Sequence, residues 1–175
     1  MRLQHLMLLV CGLLAVGSSH AADEPKAAKI NQIRLYIPTP MLEERIGNDV
    51  KPLANYIKAL EKGTAEFMAK EKQPKAKGVL IAVGIKSKTK TRIWCEAVDG
   101  DVPDGLLHKL EKELAKVEAV DPKKAPIAFA IEINLFGQKA EKFPEFPKVW
   151  FESRDKDKPT KVVPPDDLFK SIWPD

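Results

Sequence analysis

Cysteine is scarce in this chain, since its 175 residues include only Cys11 and Cys95. Cys11 lies inside an apolar N-terminal segment that has the features of a signal peptide. Once that segment is removed, one cysteine remains, so no intramolecular disulfide can form and the fold must rely on its packed core. A lone cysteine of this kind is most often a small buried hydrophobic residue, and this is what we predict for Cys95.

Long apolar runs are also rare, and the longest one spans residues 6–16. Arg2 precedes this run, and Ser19 and Ala21 supply the small residues that signal peptidase requires at −3 and −1. The run is shorter than the roughly 20 residues that span a bilayer. We therefore predict a signal peptide at 1–21, a single domain at 22–175, no stable membrane insertion after cleavage, and a periplasmic or secreted location.

Histidine is nearly absent too, and beyond the leader only His108 remains. The segment "DGDVPDG" at 99–105 has the aspartates of a calcium loop, but its fifth position is Pro103 and its twelfth is Leu110. Neither side chain offers the oxygen that a calcium loop needs there. One histidine and one cysteine do not make a four-ligand zinc site either. We expect no metal and no cofactor.

The stretch 95–110 leaves two interpretations open. Cys95 and His108 can form a thiol–imidazole pair, which is the basis for a hydrolase or thiol enzyme. Alternatively, the stretch is a strand exit, a turn at Asp99 and Gly100, and a helix whose N-cap is Asp104. We favour the second interpretation, because the helix dipole disfavours a protonated histidine in the first turn.

Charge does not point to a nucleic-acid partner. After removal of the leader, 28 basic residues face 25 acidic ones, and the two signs are interspersed along the chain. A nucleic-acid-binding arm concentrates its basic residues instead. Together with the predicted export, this pattern argues against nucleic acid as a partner.

Apolar periodicity predicts an α+β fold, with a largely antiparallel sheet of about four or five strands and two main helices packed on one face. In the first strand, Ile33, Leu35 and Ile37 alternate with polar residues, which is typical of a half-buried strand. The predicted elements are strands at 30–37, 78–86, 92–98 and 127–135, a short edge strand at 149–153, a long helix that begins near Asp49, a helix at 105–118, a loop at 137–148 and a helical turn at 164–173.

The second and third strands form a predicted hairpin with an odd number of loop residues, because an even number would bury Arg92 and Glu96. This register directs Cys95 toward the core. It leaves a basic row on the outside, with an aromatic residue that can anchor an anionic partner, either an acidic protein or an envelope polymer. The row consists of Lys86, Lys88, Lys90, Arg92 and Trp94. The other interpretation is a solvated hairpin whose lysines discourage edge-to-edge aggregation.

The order of elements from Gly78 to Leu135 resembles the C-terminal domain of TonB-type energy transducers. The matching segments are "KGVLIAVGIK", "TRIWCEAVDGDVP", "LLHKLEKELAKV" and "PIAFAIEINL". The resemblance implies a small α+β sheet and a partner-binding domain that accepts an extended peptide along a sheet edge.

These observations predict an exported, non-enzymatic protein-binding module of the cell envelope or the secreted fraction. An inhibitor or immunity-type protein fits this size. Two alternatives remain, namely the hydrolase or thiol enzyme that uses Cys95 and His108, and a carrier that holds a small apolar ligand between helices and sheet.

Overall fold

The structure is a computed structural model that describes residues 27–47, 49–152, 167, 169, 170 and 173. Four antiparallel strands form one sheet in the order β1-β4-β2-β3, so the predicted α+β class is confirmed. The elements are β1 (Ala28–Leu35), α1 (Thr39–Ile46), α2 (Lys51–Met68), β2 (Gly78–Ser87), β3 (Lys90–Val98), α3 (Leu106–Leu114), β4 (Ile127–Leu135) and α4 (Val149–Glu152).

The predicted signal peptide lies outside the described residues, and so does Leu168 of the predicted C-terminal turn. Phe169 and Trp173 of that turn are described. Phe169 is buried, Trp173 is half-buried, and the Trp173 N–H donates to the Phe169 carbonyl at 2.9 Å. Among the described helices, none combines the length and apolarity needed to cross a membrane.

One face of the sheet packs against the two main helices, as predicted. Helix α2 directs a stripe of buried side chains at this face, and α3 adds three buried leucines. Burying these apolar side chains stabilises the fold by about 1.5–3 kcal/mol for each large one. The sheet side of this core is formed by Val79, Ile81, Val83, Ile85, Ile93, Ile127, Phe129, Ile131, Ile133 and Leu135.

The hairpin between β2 and β3 has the predicted side-chain orientation, but its turn has two residues and not the odd number that we predicted. Lys88 and Thr89 form the turn, and a register shift between Ile85 and Ser87 restores the parity. Ile81 therefore lies opposite Cys95 on the helix-covered face.

The second face of the sheet is covered as well, which the sequence analysis did not predict. Residues 136–152, which we call the strap, cross this face and form a second core with Leu80, Ala82 and Ala130. Trp94 and Trp150 meet there edge to face, with ring centroids 5.2 Å apart. Strands β2 and β4 are thus buried on both faces.

Side chains of the sheet bind the backbone of the strap, which has little regular structure of its own. Asn134 accepts the Ala140 N–H at 3.1 Å, and Glu96 accepts the Lys148 N–H at 2.8 Å. The Tyr36 hydroxyl donates to the Glu145 carbonyl at 3.0 Å. Of these three strap residues only Ala140 is buried, where an unpaired N–H would be costly. Together the three bonds fasten the predicted loop to the sheet.

Two local predictions are wrong, and one helix was missed. The predicted edge strand at 149–153 is not formed in its described part, Val149–Glu152, which is the helical turn α4. This turn lets Trp150 reach the second core while its N–H donates to the Pro147 carbonyl at 3.0 Å. Helix α1 was not predicted, although a proline in its first turn is a helix-start signal. Asp104 is not the N-cap of α3, since left-handed Gly105 occupies that position and makes no side-chain cap bond.

One ion pair lies beneath the strap. Glu132 of β4 has only 4% of its side chain exposed, and it accepts hydrogen bonds from the Arg34 guanidinium and, at 3.1 Å, from the Asn31 amide. Arg34 also donates to the Pro144 carbonyl at 2.9 Å. The buried carboxylate therefore ties β1 to β4, and its partner Arg34 ties the strap to both.

Replacing Glu132 with Gln should lower the free energy of unfolding by about 1–3 kcal/mol, because Arg34 loses its matching charge in a buried site. Urea denaturation measures the change. Glu113→Gln is the matched control, since Glu113 pairs with Lys116 at the surface and its loss should change stability by less than about 0.5 kcal/mol. Equal effects of the two substitutions would contradict the structural role of Glu132.

Candidate protein-binding edge

The sheet has two edge strands, β1 and β3, whose outward N–H groups lack a neighbouring strand. A glutamate from a packed helix accepts one of these N–H groups at each edge. Glu61 of α2 accepts the Ile30 N–H at 2.9 Å, and Glu111 of α3 accepts the Cys95 N–H at 2.8 Å. Both edges are thereby partly protected from pairing with another chain.

The C-terminal half of β1 has no such protection. The Tyr36 N–H donates to the Ala128 carbonyl of β4 at 3.1 Å. This bond shows that Tyr36 is one of the residues whose backbone groups face β4. Residues that face β4 alternate with residues that face outward. The N–H and C=O groups of Ile33 and Leu35 therefore point away from the sheet, and no group in the described part of the chain binds them. We call residues 33–35 the open edge.

The side chains of the open edge are apolar and unusually exposed. Ile33 is 43% exposed and Leu35 is 37% exposed, although both lie on the helix side of the sheet. An irregularity between Ile30 and Gln32 shifts the pairing with β4 and changes which residues face the helices. Of the predicted alternating set, only Ile37 is buried, so the prediction of a half-buried strand is wrong for Ile33 and Leu35.

The basic row makes several contacts within the protein. Lys86 Nζ lies 4.9 Å from the centre of the Trp173 ring, and the Arg92 guanidinium lies 5.3 Å from that of Trp94. Lys88 forms an ion pair with Glu118, whose carboxylate raises the pKa of Lys88. Lys90 is exposed at the turn.

Trp94 is buried, contrary to the prediction of an exposed anchor. Only 7% of its surface is accessible, because Trp150 and the strap cover it. Gly84, the residue opposite Arg92, leaves room for the Trp94 ring, since a Cβ at this position would lie 3.3 Å from it. The signal available in the sequence was the cluster of aromatic residues Phe143, Phe146 and Trp150, which pack in the second core.

Cys95 and His108 are brought near one another through Glu111. One Glu111 oxygen accepts the Cys95 backbone N–H, and the other lies 3.3 Å from His108 Nδ1. The thiol makes no hydrogen bond to the imidazole. Burial raises the pKa of the Cys95 thiol, and the nearby Glu111 carboxylate raises it further. A catalytic thiol needs the opposite shift, toward the thiolate form.

Two of the three aspartates of the stretch 95–110 accept hydrogen bonds from other segments of the chain. Asp99 has a left-handed backbone with φ of 52°, and its carboxylate accepts the Glu141 N–H of the strap. The Asp101 carbonyl accepts the Ala76 N–H at 3.1 Å. Within the described ranges, no group of three or more potential ligands could hold a metal ion.

A surface groove of about 280 Å³ lies beside the first turn of α2. Four of its seven lining residues are apolar, but none of the seven belongs to the sheet, whereas the carrier hypothesis places its ligand between helices and sheet. The lining residues are Ile46, Asp49, Pro52, Leu53, Val120, Asp121 and Lys123. The groove therefore does not favour the carrier hypothesis.

Taken together, the fold and the site define an α+β protein with a four-stranded antiparallel sheet, a strap on its second face and one open strand edge. No family model, no curated protein and no solved structure matches the chain. The likeness to the TonB C-terminal domain stays a prediction.

Alkylation of Cys95 should be slow in the native protein, because a raised pKa lowers the thiolate fraction at a given pH. At pH 8 we expect a rate at least about tenfold below that of the urea-unfolded chain, since each pKa unit changes the thiolate fraction about tenfold. The native rate should keep rising above pH 9. Iodoacetamide labelling followed by mass spectrometry measures it, and a plateau near pH 7 would contradict the burial of the thiol.

Proposed function

We propose that this chain is an exported, non-enzymatic protein-binding module that recognises a partner protein through the open edge. The single observation that carries the proposal is the coincidence, at Ile33 and Leu35, of outward backbone groups and exposed apolar side chains. An extended segment of a partner can add to such an edge as a further strand. Export rests on the N-terminal segment, and an inhibitor or immunity-type protein is one form that this function can take.

The energetics of the edge fit protein recognition. Each new backbone hydrogen bond contributes about 0.5–1.5 kcal/mol, and covering each partly exposed apolar side chain contributes about 1 kcal/mol. Glu61 closes the ladder at Ile30, and Pro38 follows β1 at its other end, so the partner segment is short. Affinity then depends on additional contacts around the edge, as is usual for strand addition.

The enzyme alternative finds less support. Nucleophilic catalysis requires a thiol with a base in hydrogen-bonding contact. Here the carboxylate of Glu111 lies between the histidine and the backbone of Cys95, and its charge works against ionisation of the sulfur.

Replacing Leu35 with Pro should abolish partner binding while preserving the fold. The substitution removes an outward N–H and leaves the bond from Tyr36 to Ala128 in place, and proline is tolerated in edge strands when its nitrogen faces solvent. Tagged mature protein is used to capture partners from envelope extract, with quantification by mass spectrometry. A specific partner should fall at least about tenfold with Leu35→Pro.

Val50→Ala is the control, because Val50 is 52% exposed and lies outside β1. It should retain the partner, and urea unfolding must show that both variants are folded. Equal recovery of the same proteins by folded Leu35→Pro and by wild type would overturn the proposal, as would the absence of any partner that distinguishes the two.

A further inference from the structure

We infer that a second copy of this chain pairs with the open edge, so that two sheets join through β1 into one continuous sheet with two-fold symmetry. The inference rests on the open edge that also carries the proposed function. It adds that the mature protein is a weak dimer, and that the partner protein competes with the second copy for the same backbone groups.

The first argument is self-complementarity. The open edge has two outward-facing residues, Ile33 and Leu35, placed symmetrically about Arg34. In an antiparallel pair with its axis at Arg34, Ile33 lies opposite Leu35 of the second copy, and the reverse pair forms by symmetry. Each such pair exchanges two N–H···O=C bonds, or about four bonds in all.

The second argument concerns the side chains. Residues directly opposite each other in an antiparallel pair point to the same face. The exposed Ile33 and Leu35 of one copy would therefore pack beside those of the other on the helix side, which covers two of the most exposed large apolar side chains in the described chain. Such a contact requires apolar side chains on both strands, and Ile33 and Leu35 provide them in each copy.

The third argument is the charge at the two-fold axis. Pairing places Arg34 beside Arg34 of the second copy, and two bare cations there would oppose association. Each guanidinium is already bound to Glu132, whose side chain is 4% exposed, and donates to the Pro144 carbonyl at 2.9 Å. The two groups thus meet as neutralised ion pairs that point toward the strap.

The fourth argument is that the assembly closes. An isologous contact uses the open edge of both copies, so growth stops at two. The outer edges of the joined sheet are then the two β3 strands, where Glu111 already accepts the Cys95 N–H. Unprotected edges are aggregation sites that natural proteins cover, and dimerisation covers this one.

The small contact area sets the expected affinity of the dimer. One pair of short strands buries much less than the area of about 1,000 Å² that stable interfaces exceed. We therefore expect a dissociation constant on the order of 10–500 µM. Sedimentation equilibrium of the mature wild-type protein should show the average mass rising toward twice that of the monomer as the concentration increases through this range.

Leu35→Pro should remain monomeric at every concentration, whereas Val50→Ala should associate like the wild type. Cross-linking tests the register in a Cys95→Ser background. A mixture of Ile33→Cys and Leu35→Cys proteins should oxidise to a mixed disulfide dimer several-fold faster than either protein alone, because position 33 faces position 35.

A wild-type protein that stays monomeric up to about 1 mM would overturn the inference. Dimers that persist in folded Leu35→Pro, or faster cross-linking of either cysteine variant with itself, would also overturn it. These results are independent of the proposed function. If the wild type is monomeric but still captures a protein through the open edge, the proposed function stands and the dimer is ruled out. If it dimerises but captures no protein, the dimer stands and the proposed function is ruled out.

Discussion

The central strands β2 and β4 carry apolar side chains on both faces, and each face needs its own cover. Helices α2 and α3 supply one layer and the strap supplies the other. Because the strap has few backbone partners of its own, Arg34, Asn134 and other polar side chains of the sheet bind it. The buried pair of Arg34 with Glu132 therefore joins an edge strand, a central strand and the strap in one network.

This arrangement leaves β1 and β3 as the only edges of the four-stranded sheet, and their protection differs. Each receives one helix glutamate, Glu61 or Glu111. The irregularity in β1 turns Ile33 and Leu35 to the helix side of the sheet, where both stay exposed. The same strand segment thus combines unpaired backbone with exposed apolar side chains. That combination links the fold to binding, whether the added strand comes from another protein or from a second copy.

In the stretch 95–110, the contacts of Glu111 set the environment of both Cys95 and His108. One oxygen of Glu111 accepts the Cys95 backbone N–H, and the other lies 3.3 Å from His108 Nδ1, so this carboxylate contacts both an edge strand and the histidine. Burial of the thiol raises its pKa, and the same carboxylate raises it further. Cys95 lies in edge strand β3 and His108 lies in α3, and Glu111 contacts both residues.

Local periodicity was enough to predict the four main strands, the two main helices and the inward orientation of Cys95, because alternation and helical spacing follow from backbone geometry alone. The second apolar layer was visible in the even positions of β2, such as Leu80 and Ala82, but what covers it lies some 60 residues further on, in the strap. The burial of Trp94 and the exposure of Ile33 and Leu35 were decided by tertiary structure. The burial of Trp94 depends on where a distant segment crosses the sheet, and the exposure of Ile33 and Leu35 on the helix side depends on one irregularity in strand pairing. The alternation of apolar residues along a strand encodes neither of these features.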